Sequence, residues 1–202
     1  MGVPGPDSKT SDRVAGLSLA TASILSVVVM AHHPSDFDSG IGGLVHGAMI
    51  VFVLIMSAGF VRFAALCGLE RFTVLLGLVA YLAAAFANAL AGMLNGFVGP
   101  ALHRHQGLEG ALRLSWELNQ ALAAGAVYAT SAAFILWGAQ LARRQHFERV
   151  VGIAGMLIGA GGAAMLASGA LQMNVAGAFA IYGSQALFGI LAGAVLARPR
   201  SA

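Results

Sequence analysis

The sequence predicts an all-α protein, a single polytopic bundle of six transmembrane helices, and three observations carry that prediction. Of 202 residues, 58% are hydrophobic and only 9% are charged, whereas a soluble domain carries about 25% charged residues to coat its surface. The mean hydropathy is +0.82. The apolar residues fall in continuous runs long enough to cross a bilayer as helices, which takes roughly 17 to 25 residues, and not in the short alternating segments of a barrel.

The runs are taken in order. Residues 1–13 form a polar tail rich in Pro, Gly and Ser, expected to be mobile. The first span, Val14–Ala31, follows Lys9 and Arg13 as a signal peptide would, but its apolar stretch is long for one, and it reads as a retained helix. Pro34 ends it, because a proline disfavours helical backbone in the residue before it. Gly43–Leu66 is the second span and Phe72–Phe97 the third, with Gly99-Pro100 as its stop signal. Leu114–Leu141, Val150–Leu171 and Val175–Ala197 complete the set, so that one domain covers 14–197 and 198–202 is a short tail. The 27 glycines suit close packing of membrane helices.

Basic residues set the expected orientation. Lys9, Arg13, Arg62, Arg71, Arg143, Arg144, Arg149, Arg198 and Arg200 fall on the side of the termini, and only Arg104 and Arg113 on the other. The positive-inside rule then places both termini in the cytoplasm of an inner (plasma) membrane protein. The bilayer is the expected partner, and the basic balance calls for no nucleic acid. Cys67 is the lone cysteine, which excludes a disulfide within the chain and sites built from four of its cysteines.

Two echoes, Glu70-Arg71-Phe72 with Glu148-Arg149-Val150 and His46-Gly47 with Tyr182-Gly183, imply different periods and carry no duplication. Helix faces are more informative. Asn88, Gly92, Asn95 and Gly96 share one stripe of the third span; Glu117, Gln120, Tyr128 and Ser131 share one of the fourth. Gly152, Gly155, Gly159 and Gly162 line the fifth, and Gln185, Gly189 and Gly193 the sixth. Small residues at this spacing let backbones approach, and Asn88, Asn95 and Gln185 read as hydrogen-bonding glue between helices. Glu117, inside the fourth span, is costly there and so a candidate for a general base or for a group that orients a ligand.

Chemically able side chains are unevenly placed. His32, His33, His46, His103 and His105 fall at the outer face with Asp36, Asp38, Glu109 and Glu117, while His146 falls at the other. Imidazoles with a carboxylate are ligands for zinc or copper. The expected site is a divalent metal centre built from His32, His33, His46, His103 and His105 with Asp36 or Glu109. A b-type haem between His46 and His32 or His33 is the minority reading. HExxH, Walker A and nucleotide-binding glycine motifs are absent. The competing class is a non-catalytic subunit, packed beside a larger membrane complex or in a homo-oligomer. Two geometric features separate these readings. Imidazole nitrogens within roughly 4 Å of one another, at metal-ligand reach, favour the site; a glycine stripe covered by no helix of the same chain favours the subunit.

Overall fold

The computed structural model describes residues 6–34, 40–144 and 146–199. Six helices long and apolar enough to cross a membrane make up the described chain, with no strand among the described residues. They are α1 (Pro6–Met30), α2 (Gly42–Cys67), α3 (Phe72–His103), α4 (Glu109–Leu141), α5 (His146–Ala167) and α6 (Val175–Ala197). Large apolar side chains stand exposed around the bundle, among them Leu44, Leu54, Phe72, Phe86, Val150 and Leu157. A water-soluble monomer rarely shows so much, and the pattern suits a multi-pass membrane protein.

Chain neighbours are neighbours in space. Helix α2 packs on α1 and α3, α4 on α3 and α5, and α6 on α5; α1 against α6 closes the ring. Glycines make the tightest crossings. A Cβ on Gly16 would stand 2.5 Å from the Gly193 carbonyl oxygen, so α1 and α6 meet backbone to backbone. The α5 stripe is equally covered: Gly152 lies on the backbone around Gly138, Gly155 on the Phe188 ring and Gly159 on the Ser131 carbonyl. The chain buries this stripe against itself, so the stripe offers the subunit reading nothing. Gly16→Val should cost about 1–3 kcal/mol, the range for overpacking, in reversible detergent unfolding. Gly161→Ala, where an added methyl meets nothing within 4 Å, should be neutral or slightly stabilising; equal effects at the two positions would mean that the α1–α6 crossing is not the tight one.

Helix ends follow local chemistry, with two departures from the sequence reading. At α6 the Asn174 side chain caps the helix by accepting from the Gly177 N–H at 2.9 Å. Gly68, at φ 103, closes α2 by returning its N–H to the Ala64 carbonyl at 3.1 Å. The first departure is that α1 starts at Pro6, so part of the expected tail is helical. The second is that Gly99-Pro100 does not end α3. Leu94–Val98 form a π-helical turn, and Gly99–His103 continue as α-helix beyond it. Proline lacks an N–H and crowds the preceding turn of a regular helix; the wider π turn takes up that misfit, and the helix runs on.

The two ends of the bundle are filled differently. Toward the termini, Phe60, Phe63, Tyr81, Phe134, Trp137 and Phe188 form one aromatic cluster. Phe60 lies 4.4 Å from Tyr81 and 5.5 Å from Trp137 between ring centroids, and Phe134 4.2 Å from Phe188. The Trp137 indole donates to the Val74 carbonyl at 3.2 Å, as a buried indole requires. Polar ties hold the loops at this end: Arg71 donates to Gln140 at 3.1 Å, Gln140 to Thr73 at 3.0 Å and Arg144 to the Leu66 carbonyl at 3.0 Å. Arg62 pairs with Asp12, joining α2 to α1.

Candidate functional site

The opposite end is hollow. A cavity of about 700 Å³ opens there and descends between the helices to the aromatic cluster, where Phe60, Tyr81 and Phe134 form its floor. It exists because small residues face it: Ala85, Ala91, Gly92, Ala123, Ala178 and Ala186 all line the space. Helix α2 supplies one wall with His46, Met49, Ile50, Val53, Met56 and Phe60, spaced at helical periodicity. Helix α3 supplies another with Asn95, Asn88 and Tyr81. The two helices run antiparallel, so these residues make three levels about 10 Å apart: His46 with Asn95, Val53 with Asn88, and Phe60 with Tyr81.

The upper level holds the densest chemistry. His33, from the turn after α1, and His46, on the first turns of α2, bring their Nε2 atoms to 3.1 Å. Their rings meet edge to face, with centroids 4.8 Å apart and planes at 77°. The Asn95 Nδ2 lies 3.4 Å from His33 Nε2 and 3.3 Å from His46 Nε2, completing a triangle. Each ring is oriented from behind. His33 Nδ1 stands 2.8 Å from the Pro34 carbonyl and His46 Nδ1 2.7 Å from the Gly42 carbonyl. A carbonyl only accepts, so both rings donate from Nδ1, and in neutral imidazoles both Nε2 atoms then carry lone pairs. Two lone pairs facing each other at 3.1 Å call for a positive centre between them.

The surroundings are built around this contact. His46 is 6% exposed. A Cβ on Gly96 would lie 2.7 Å from His46 Cγ, so only glycine lets α3 close over the ring. The π turn contains both Asn95 and Gly96; such turns recur at functional sites because they aim side chains that a regular helix would turn elsewhere.

The structure gathers part of the expected constellation and disperses the rest. His33 and His46 meet, inside the roughly 4 Å that a shared ion requires. His103 and Arg104 line the mouth of the same cavity. His32 is exposed and turns its Nδ1 to the Val28 carbonyl at 2.9 Å, away from the pair. His105 is exposed in the turn after α3, and the backbone there is not the extended strand that would aim it alongside His103. Glu109 starts α4 and accepts from the Gly107 N–H at 3.2 Å. Asp36 and Asp38 lie outside the described residues. Among the described residues, no three His, Cys, Asp or Glu side chains converge on one point. Glu117 is exposed and does not line the cavity. Trp116, Asn119, Gln120, Ala123, Thr130 and Phe134 are the α4 residues that do, and Glu117 is turned about 100° from Trp116 around the helix. Asn95, read from sequence as packing glue, is the partner the histidines have.

The triangle fits a metal ion. Zinc–imidazole bonds of ~2.0–2.1 Å at a tetrahedral angle put two ligand nitrogens about 3.3 Å apart, against edges of 3.1, 3.3 and 3.4 Å here. With its amide turned over, Asn95 would offer Oδ1 to the same point; as placed, it donates to the two nitrogens. The axial nitrogens of a haem stand on opposite sides of the macrocycle, about two metal–nitrogen bonds or ~4 Å apart. The 3.1 Å contact leaves no space for a ring between His33 and His46.

Searches against protein-family models, curated proteins and solved structures find no match to the chain.

Proposed function

We propose that the chain is a multi-pass membrane protein that holds a first-row transition metal ion, zinc or copper, between His33 and His46 on the wall of its cavity. The observation that carries this reading is the pair of Nε2 atoms 3.1 Å apart, each ring fixed by an Nδ1 contact to a backbone carbonyl. Metal-binding histidines nearly always carry that second contact, which sets the tautomer and raises the basicity of the ligating nitrogen. Asn95 is the third group at hand. A site of three protein groups facing a cavity leaves a coordination position for water or substrate, the arrangement of catalytic and transfer sites and not of closed structural ones. Metal-dependent chemistry or metal handling at the membrane surface follows from that open position.

By the positive-inside rule, the basic residues at the termini end support a cytoplasmic location for that end and an outward-facing cavity mouth, in an inner (plasma) membrane. With Ser8→Cys in intact cells, an impermeant thiol reagent should not label the protein until the membrane is opened. Labelling from outside would reverse the orientation.

Protein in nanodiscs, stripped, loaded with zinc or copper and dialysed, should retain about one ion per chain, and a chelator should lower its melting temperature. Retention should fall as the pH is lowered, because protons compete for the same nitrogens. Protein that retains no metal and melts unchanged with chelator overturns the proposal.

A further inference from the structure

The middle level of the cavity has its own chemistry, independent of the histidines. There the Tyr182 hydroxyl donates to Asn88 Oδ1 at 3.0 Å. That bond fixes the amide of Asn88, which lines the cavity, and leaves its Nδ2 hydrogens without a partner among the described residues. The Gln185 amide lines the same space, one turn along α6 from Tyr182, and no described group bonds to it. No Asp, Glu, Lys or Arg lines the cavity below Arg104 at its mouth. The remaining surface at this depth is mainly aliphatic, thioether or aromatic, from Val53, Met56 and the Phe60 floor, with the hydroxyls of Ser26 and Thr130.

We infer that this level is a second binding site, for an uncharged carbonyl-bearing molecule with an apolar body. The N–H groups of Asn88 and Gln185 have no partner among the described residues, and a carbonyl oxygen answers both. A charged head would lose its hydration with no counter-charge to replace it. The volume of about 700 Å³ lies within the range of pockets that enclose drug-sized ligands, which are mainly apolar with a few convergent polar groups. The methionines suit an apolar body because thioethers are flexible and polarisable against varied shapes.

The chain provides its own reporter, since Trp116 lines the cavity and Trp137 stacks on Phe60; these are its 2 tryptophans. A fully substituted benzoquinone with a decyl chain is the probe, being uncharged, apolar, carbonyl-bearing and a quencher of indole fluorescence. Titrated into protein in nanodiscs, it should quench saturably. Gln185→Glu, which exchanges donors for acceptors, and Asn88→Leu should each weaken binding at least tenfold. Gly92→Leu should abolish saturable quenching: a Cβ there meets only Ile50, at 3.6 Å, so the added side chain can enter the cavity without moving the backbone. Melting temperature and circular dichroism of each variant separate lost binding from lost fold. Quenching that rises linearly, or that all three folded variants leave unchanged, places the probe in lipid and overturns the inference. The titration is run on metal-stripped and metal-loaded protein, with saturable binding expected in both, so failure of the metal site would leave this result intact.

Discussion

His46→Ala should remove metal binding, taking retention from about one ion per chain to background and abolishing the chelator-induced drop in melting temperature. The expectation rests on how few groups converge. Among the described residues His33 and His46 are the imidazoles in mutual contact, with Asn95 beside them, and no further His, Cys, Asp or Glu side chain converges on them. His33→Ala should act alike. His105→Ala is the informative contrast, because His105 is exposed and outside the cavity lining and its loss should leave retention unchanged. If His105→Ala matched His46→Ala, the metal would be held by the surface histidines and the assigned pair would be wrong. Asn95→Asp should retain the ion and tighten it, since a carboxylate replaces a neutral amide at the same reach.

Gly96→Ala should weaken metal binding by 10–100-fold, the usual penalty for disturbing groups that orient a ligand, although it deletes no ligand. The added methyl would overlap His46 along Cβ and Cγ. Either the ring turns, breaking its 2.7 Å contact with the Gly42 carbonyl, or α3 withdraws and carries Asn95 with it. Both routes open the triangle. The stability cost should be about 1–3 kcal/mol, as for other overpacked sites. Gly47→Ala, whose Cβ would meet the Phe97 ring at an ordinary 3.9 Å, serves as the neighbouring control. Full metal retention in folded Gly96→Ala protein would mean that the close approach of α3 is packing and nothing more.

The six helices were legible because the bilayer imposes so blunt a rule: a long apolar run with satisfied backbone is a helix. What that rule does not encode is how the helices turn. Gly99-Pro100 is a stop signal by local chemistry, yet the π turn over Leu94–Val98 absorbs the proline and extends α3. The stripe Asn88, Gly92, Asn95, Gly96 was visible from spacing, and all four line the cavity. Whether such a stripe faces another helix or an empty space depends on what stands opposite, and sequence spacing is silent on that. Glu117 shows the same gap. Grouped with Gln120 by spacing, it lies far enough around α4 to be exposed while Gln120 faces inward. His33 and His46 could be named from composition, but their pairing depends on where Pro34 turns the chain after α1. Among the described residues the five histidines do not gather as one group, since nearness to one face of a membrane is a much weaker condition than convergence on one point.

The aromatic floor also decides which solution the cavity answers to. Phe60, Tyr81 and Phe134 seal it below, and the cluster behind them is continuous to the α2–α3 and α4–α5 turns. For a water-soluble ligand such as a metal ion, a vestibule closed at its floor exchanges with the compartment at its mouth. Its occupancy follows the chemical potential of its ligand on that side, whatever the concentration across the bilayer, and no gradient does work through it. On the proposed reading the cavity works for a single face of the membrane, and a conduit would require the aromatic side chains to move apart.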